Sequence, residues 1–277
     1  MLQISNVYKT FNKGTINEKK ALNGINLTLN DGDFVTIIGG NGAGKSTMLN
    51  MIAGVYPIDA GKITIEDIVA TKDGNENSVE VNISRMPEHA RAKYLGRVFQ
   101  DPMKGTAAGM EIQENLALAY RRGASRGLKW GISKEEKEFY RDKLKILGLG
   151  LEERMTSKVG LLSGGQRQAL TLLMATLKKP RLLMLDEHTA ALDPKTAKTV
   201  LDLTEKIIEE NHLTALMVTH NMKDAIRLGN RLIMMHEGRI IYDVSGEEKK
   251  NLKVSDLLAK FEEASGGEFA NDRMMLA

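Results

Sequence analysis

The stretch GGNGAGKST, residues 39–47, has the residue types and spacing of a loop that binds phosphate. Gly39 to Ser46 matches G-x-x-x-x-G-K-[ST] between a short apolar run and a segment of helical periodicity. Glycines let successive backbone N–H groups converge on phosphate oxygens, and the positive end of the helix dipole points at them. We expect Lys45 to reach the β- and γ-phosphates and Ser46 to bind Mg²⁺. The alternative, an ordinary glycine-rich turn, is disfavoured by these flanks.

Two adjacent carboxylates, Asp186 and Glu187, end the apolar run LLMLDE. An aspartate at a strand end beside a phosphate loop supplies a second ligand for Mg²⁺. Glu187, one residue further, can face the γ-phosphate and polarise an attacking water as a general base. Taken alone the pair would fit an exposed acidic turn, but the phosphate loop makes that alternative weak.

A second stretch, LLSGGQRQAL at residues 161–170, has the glycines and the helix start of a phosphate cradle but contains no lysine. Ser163 is also a good residue to cap the helix that follows. The same geometry can do both, so the sequence predicts an incomplete phosphate site beside the complete one.

The composition is that of a globular protein with a sizeable core. The 277 residues are 42% hydrophobic and 27% charged, with a net charge of +3, which gives no reason to expect nucleic acid as a partner. The absence of cysteine excludes disulfides and thiolate metal sites, and the five histidines lack metal-ligand spacing. The N-terminus has no signal-peptide core, and no apolar run approaches the ~18 residues of a membrane span.

The elements that must position these motifs follow an α/β order. FVTII (34–38), LLMLD (182–186) and TALMV (214–218) are continuous apolar runs typical of buried parallel strands. Residues near the N-terminus alternate as in half-buried antiparallel strands, and RLIMMHEGRIIYDV predicts a hairpin that turns at HEGR. Helices are predicted after Lys45, in EIQENLALAY and KEEKEFYRDKLKILGLG, after Gly165, over 195–209 and around VSDLLAKF.

The motifs together resemble those of the ATP-binding cassette (ABC) ATPases. The loop 39–47, Gln100, LSGGQ at 162–166, LLMLDE at 182–187, ALD at 191–193 and His220 occur in that family's order, and the resemblance covers about residues 2 to 245. It implies a P-loop ATPase core over 1–245 with a parallel sheet, an antiparallel N-terminal β subdomain and a helical signature subdomain at about 101–178. A C-terminal helix and tail would occupy 246–277.

The resemblance also implies how the site works. Two copies would pair head to tail, each lending its signature loop, LSGGQ at residues 162–166, to the ATP that the other holds. Gln100 would sense Mg²⁺ and the attacking water, His220 would bond the γ-phosphate and Glu187, and Phe11, or failing it Tyr8, would stack on adenine. The implied nucleotide contacts are Phe11, Gly39, Asn41, Gly42, Ala43, Gly44, Lys45, Ser46, Thr47, Ser163, Gly164, Gly165, Gln166 and Asp193; the implied Mg²⁺ ligands are Ser46, Gln100 and Asp186.

A chain of this kind is expected to be the ATPase subunit of a bacterial importer for a small solute such as an amino acid. It would lie peripherally on the cytoplasmic side of the inner membrane, bound to a separate transmembrane permease, with an extracytoplasmic substrate-binding protein in the full system. The alternatives are a soluble ABC ATPase acting on DNA or ribosomes, whose coiled-coil insertions or second cassette are lacking here, and a regulatory module without turnover.

The sequence departs from the family pattern in three places. His188 stands where a proline usually follows the two carboxylates, and it could be a further polar contact near the active site. Residues 70–85 predict a surface excursion or hairpin, longer than in typical relatives. The basic stretch 121–131 is predicted to be a loop, either solvated or facing anionic lipid headgroups.

Overall fold

The structure is a computed structural model that describes residues 1–70, 76–124 and 131–265. The strands in these ranges are β1 (Leu2–Phe11), β2 (Lys19–Leu29), β3 (Phe34–Gly39), β4 (Ala60–Ala70), β5 (Glu76–Asn82), β6 (Leu95–Val98), β7 (Leu182–Asp186), β8 (Ala215–Val218), β9 (Arg231–His236) and β10 (Arg239–Ser245). The helices are α1 (Lys45–Ala53), α2 (Glu88–Arg91), α3 (Ile112–Tyr120), α4 (Lys134–Lys145), α5 (Gly164–Thr176), α6 (Pro194–Glu210), α7 (Met222–Arg227), α8 (Gly246–Lys250) and α9 (Val254–Ser265). None of the helices in these ranges is long and apolar enough to cross a bilayer.

The strands form two sheets, as the two kinds of apolar pattern predicted. The six-stranded sheet has the order β10-β9-β3-β8-β7-β6. Strands β9, β3, β8, β7 and β6 run parallel to one another, and β10 is antiparallel to β9. All residues of β3 and β8 are buried, which explains their continuous apolar runs. The four-stranded sheet, β2-β1-β4-β5, is antiparallel, and alternation of buried and exposed residues in β1 marks its single covered face.

The predicted hairpin at HEGR forms, and the predicted excursion or hairpin at 70–85 pairs two antiparallel strands. β9 and β10 pair around Glu237 and Gly238, which both have positive φ, as a tight turn requires. The predicted excursion at 70–85 is built from the end of β4 and from β5, which pair from Thr64 opposite Asn82 to Ala70 opposite Glu76. Its tip, residues 71–75, lies outside the described residues. The pairing makes this excursion the edge of the antiparallel sheet.

The helical region has a core of its own. α3, α4 and α5 bury one shared cluster that includes Leu116, Tyr140, Leu144 and Leu170. The predicted helix KEEKEFYRDKLKILGLG ends early, at Lys145, because Gly148 and Gly150 adopt positive φ in the turns that follow. The cluster supports a separate helical subdomain, whose limits at about 101–178 remain a prediction. Most of the predicted basic loop, residues 125–130, lies outside the described part of the chain.

The C-terminal helix around VSDLLAKF is confirmed as α9. Its Leu257 and Phe261 are buried against Met222 of α7 and against the parallel sheet at Leu232 and Met234. This contact attaches the end of the chain to the core as far as residue 265. The predicted tail beyond it, 266–277, lies outside the described residues.

The functional segments meet at one edge of the parallel sheet. The phosphate loop follows β3, the two carboxylates follow β7, and His220 comes two residues after β8. Carboxyl ends of parallel strands share one edge, which is where open α/β sheets bind ligands. The pairing of β3 with β8 and of β8 with β7 therefore brings the three segments together.

Candidate functional site

The phosphate loop connects β3 to α1, and its last glycine, Gly44, lies where no side chain would fit. Gly44 has φ 104°, and a Cβ there would lie 2.6 Å from the carbonyl oxygen of Ala21. Lys45 is 5% exposed, and its Nζ donates to the carbonyl oxygens of Gly39 at 2.6 Å and Gly40 at 3.1 Å. The ammonium group is therefore held on the inner face of the loop, where phosphate oxygens would approach.

The loop forms the floor of a cavity of about 280 Å³. The cavity is lined by Phe11, Lys19, Ala21, Asn41, Gly42, Ala43, Gly44, Lys45, Ser46, Thr47, Glu187 and His220. Ten of these were predicted as site residues from the sequence. Of the two aromatic residues considered for adenine, Phe11 lines this cavity and Tyr8 does not. The Phe11 ring is fixed edge-on against Tyr56, with ring centroids 5.3 Å apart at 83°.

Lys19 and Ala21 were missed because their position depends on strand pairing. Lys19 lies opposite Phe11 in the register of β1 and β2. Its Nζ is 3.1 Å from where a Cβ on Gly42 would lie, so its charge stands beside the phosphate loop. Nothing in the local sequence of KKALNG reveals that neighbour.

Glu187 and His220 are in direct contact, with Glu187 Oε1 2.6 Å from His220 Nε2. The backbone of Glu187 has φ 46°, in the left-handed region that residues with a Cβ seldom adopt. Its N–H still continues the ladder by donating to the carbonyl of Val218 at 3.0 Å. A strained backbone conformation that the surrounding sheet holds in place is typical of a functional position.

Asp186 is placed between the start of α1 and a positive charge. Ser46 Oγ donates to its Oδ1 at 3.5 Å, and Arg97 Nη2 lies 3.5 Å from its Oδ2. Burial raises the pKa of Asp186; the charge of Arg97 opposes this, and the nearby charge of Glu187 adds to it. A carboxylate and a hydroxyl at this spacing are the hard oxygen ligands that Mg²⁺ prefers.

Gln100 is exposed and does not line the cavity. The residue that fixes this segment is Gln168 of α5, which is fully buried and donates through Nε2 to the carbonyl of Phe99 at 3.2 Å. Neither Gln168 nor Arg97 was identified from the sequence. The roles assigned to Gln100 in metal and water binding remain predictions.

The signature loop lies apart from the cavity, as an incomplete cradle. Ser163 caps α5: its Oγ accepts from the N–H of Gln166 at 3.3 Å, and Gln166 Oε1 accepts from the N–H of Ser163 at 3.1 Å. Ser163 and Gly164 are exposed, so the start of α5 is open to an approaching group. A Cβ on Gly165 would meet Thr196 Cγ2 at 2.2 Å.

Asp193 caps the neighbouring helix α6. Its carboxylate accepts from the N–H of Thr196 at 3.1 Å, and hydrogen bonds from Thr196 lower the pKa of Asp193. Leu192 reaches the other glycine of the signature, with its Cδ2 3.3 Å from a Cβ placed on Gly164. The signature loop and the ALD segment therefore form one packed surface within the chain.

His188 is buried within the chain, bonded to α6. Its Nε2 is 3.0 Å from the hydroxyl of Thr204, which itself donates to the carbonyl of Val200 at 2.7 Å. Because the hydroxyl proton of Thr204 is donated to Val200, His188 Nε2 must be the donor to Thr204. Burial lowers the pKa of His188 to about 4. His188 also lines a larger cavity of about 720 Å³ that shares Glu187 and His220 with the first.

Within the described ranges, no group of three or more His, Cys, Asp or Glu side chains could hold a metal ion by itself. A nucleotide-associated Mg²⁺ takes one or two oxygens from the protein and others from phosphate and water. Ser46 and Asp186 are the described pair with the chemistry and spacing for that ion.

Comparison with known proteins identifies the family to which this chain is similar. The profile of a family described as "ABC transporter" matches residues 22–190, more than half of the chain. A tyrosine transport ATP-binding protein of Clostridioides difficile is 42% identical over 264 residues, which cover 95% of this chain and 100% of that protein. The methionine import ATP-binding protein MetN of Streptococcus agalactiae is 32% identical over 88% of this chain and 64% of its own length.

Solved structures have the same fold. A dimeric ATP-binding cassette in a post-hydrolysis state with ADP and Pi superposes with a TM-score of 0.69 at 29% identity, covering 88% of this chain and 98% of that one. An ABC transporter cassette in its ADP conformation gives 0.72 at 26% identity, covering 94% and 98%. The curated relatives named above are transport proteins, which favours transport over the soluble alternative. The chain belongs to the ABC transporter family, as an ATP-binding subunit that hydrolyses ATP to power a transporter.

Proposed function

We propose that this chain drives the import of an amino acid, with an aromatic one such as tyrosine as the first substrate to test. The observation that carries the proposal is the full-length similarity to a tyrosine transport ATP-binding protein, at 42% identity. A methionine import protein among the relatives supports the same direction of transport and the same class of solute. Because an ATPase subunit does not bind the cargo, the substrate is inferred from similarity alone.

ATP would occupy the cavity over the phosphate loop. Phe11 would stack on adenine, the N–H groups of residues 41–47 would bind phosphate oxygens, and Lys45 would exchange its loop carbonyls for the β- and γ-phosphates. Ser46 and Asp186 would hold Mg²⁺, helped by Gln100. The ion, when bound, neutralises charge on the β- and γ-phosphates.

Hydrolysis would depend on the contact between Glu187 and His220. Glu187 is proposed to accept a proton from the attacking water, and His220 to orient that carboxylate and to donate to the γ-phosphate. The positive φ of Glu187 directs its side chain back toward the cavity that both residues line. Gln100 would complete the arrangement by binding the same water.

A second copy of the chain is proposed to close each site. The start of α5, where Ser163 and Gly164 are exposed, would bind the γ-phosphate of the nucleotide held by the partner. Gly165 and Gln166 would complete this cradle, and Asp193 would contact the partner beside it. The capped helix start needs no lysine for this, because the nucleotide is already held by the lysine of the other copy. The dimeric state of a similar cassette supports this arrangement.

The head-to-tail arrangement can be tested by mixing two inactive proteins. One carries Lys45→Ala and the other a bulky substitution, Ser163→Phe. If each site uses residues of both copies, the mixed dimer contains one intact site and one with both defects. A mixed dimer should therefore have about half of the parental activity, and a random 1:1 mixture about a quarter, which is about tenfold or more above either variant alone. If each copy builds its own site, mixing restores nothing.

The other partners follow from the proposed role in import. We propose that the chain binds a separate transmembrane permease on the cytoplasmic side of the inner membrane, in a system that also uses an extracytoplasmic substrate-binding protein. The decisive experiment is uptake of labelled tyrosine by vesicles containing the chain and its permease, compared with vesicles carrying Glu187→Gln and with uptake of choline. ATP-dependent tyrosine uptake that the variant abolishes would support the proposal; choline uptake without amino-acid uptake would contradict it.

A further inference from the structure

Arg97 places a fixed positive charge beside the carboxylate that we assign to Mg²⁺. Its Nη2 donates to Asn50 Oδ1 at 2.7 Å and lies 3.5 Å from Asp186 Oδ2. Its guanidinium carbon stands 4.5 Å from the centre of the Phe99 ring. The Arg97 side chain is 13% exposed and that of Asp186 is 16% exposed, so water screens this pair only weakly.

These contacts join three elements that border the site. Arg97 belongs to β6, Asn50 to α1 and Asp186 to the end of β7. The hydrogen bond to Asn50 and the aromatic ring hold the planar guanidinium in one orientation, and arginine stays protonated at any physiological pH. The charge next to Asp186 is therefore permanent and does not depend on a rearrangement of the side chain.

The two oxygens of Asp186 face different partners. Oδ1 is turned toward Ser46, the other proposed metal ligand, and Oδ2 toward Arg97. A cation at Oδ2 offsets the negative charge that would otherwise attract Mg²⁺, and the same cation adds to Lys45 in attracting the phosphates. The charge of Arg97 therefore weakens the binding of Mg²⁺ and strengthens the binding of ATP.

We propose that Arg97 is a positioning residue for Asp186 whose charge reduces the dependence of ATP binding on Mg²⁺. The inference rests on the proposed role of Asp186 in binding that ion. It assigns to Arg97 a share of the charge neutralisation that the metal would otherwise supply alone. Removing this charge should weaken metal-free ATP binding and should lower the Mg²⁺ concentration that gives half of the full effect on ATP binding.

The test is a titration of the purified full chain with the fluorescent analogue MANT-ATP, in EDTA and at a series of Mg²⁺ concentrations. Arg97→Met keeps the stem and removes the charge, and Arg97→Gln removes the charge but keeps a polar side-chain donor. Both should raise the metal-free Kd and lower the Mg²⁺ concentration of half-maximal effect, each by about tenfold. Arg97→Lys, the matched control, loses the stacking on Phe99 but keeps the positive charge, so its metal-free Kd and Mg²⁺ response should stay within about threefold of the parent.

The outcomes separate this inference from the assignment of the metal site. If Asp186→Asn removes the Mg²⁺ response while the charge-free variants of Arg97 respond like the parent, the site is correct and the role of Arg97 is wrong. If the parent shows no Mg²⁺ response, or Asp186→Asn leaves it unchanged, both are wrong. Thermal unfolding without nucleotide provides a second readout: equal losses for Arg97→Lys and Arg97→Met, with unchanged Mg²⁺ dependence, would show a purely structural contact.

Discussion

His188 should make the stability of this protein fall as the medium becomes mildly acidic. Its imidazole is 2% exposed and donates to Thr204, and burial lowers its pKa from the ordinary 6.5 to about 4. Below about pH 6.5 the imidazole is protonated in the unfolded chain but stays neutral in the folded chain. The free energy of unfolding therefore decreases as the pH falls, until the folded chain is also protonated below about pH 4. Above about pH 6.5 the imidazole is neutral in both states and the effect is absent.

The magnitude follows from the difference between the two pKa values. A shift from 6.5 to about 4 corresponds to about 3 kcal/mol when fully developed. Linkage gives a loss of about 2 kcal/mol between about pH 7 and about pH 5. Against a stability of ~5–15 kcal/mol for a typical protein, such a loss is large.

Urea unfolding at the two pH values, followed by circular dichroism, measures this loss. His188→Gln cannot titrate but can still donate to Thr204, so its free energy of unfolding should fall by about 2 kcal/mol less than that of the parent. His89→Gln is the matched control, because it removes an exposed imidazole of α2. A parent and a His188→Gln variant that lose the same free energy would refute the burial argument.

Three further predictions concern the site and its support. Lys45→Ala should abolish detectable ATP binding in a MANT-ATP titration, and an unchanged Kd would contradict the phosphate-loop assignment. Glu187→Gln should slow hydrolysis by about 100-fold or more while ATP is retained, so that size-exclusion chromatography with ATP shows a dimer; parental turnover by a monomer would contradict it. Gly165→Ala places a Cβ 2.2 Å from Thr196 and should cost about 1–3 kcal/mol in thermal unfolding, whereas Gly109→Ala, with nothing within 4 Å, should not.

The features that the sequence predicted well are those fixed by near neighbours in the chain. The phosphate loop, the capped start of α5 at Ser163 and the hairpin at Glu237 each depend on a few adjacent residues. The parallel strands were recognisable because burial on both faces leaves a continuous apolar run, as in LLMLD of β7. The order of the motifs then identified the family, which supplied the roles that spacing alone does not give.

The features that were missed depend on residues far apart in sequence. Arg97 meets Asn50 and Asp186 only because β6 pairs with β7 and because α1, which carries Asn50, packs against β7. Lys19 reaches the phosphate loop through the register of β1 with β2. A single arginine or lysine gives no local signal of either contact, since its usual place is the solvated surface.

The burial of His188 has a consequence for how the proposed catalytic carboxylate, Glu187, is supported. Glu187 has a backbone conformation that costs free energy, so neighbouring contacts must hold it. The next residue, His188, is hydrogen-bonded to Thr204 in the middle of α6. The start of α6 packs, through Thr196, against Gly165 of α5. The segment after Glu187 is thus fixed to the same helix that supports the signature loop. A proline at position 188 could not make the bond to Thr204, so in this chain a buried neutral histidine provides an attachment that the usual proline does not.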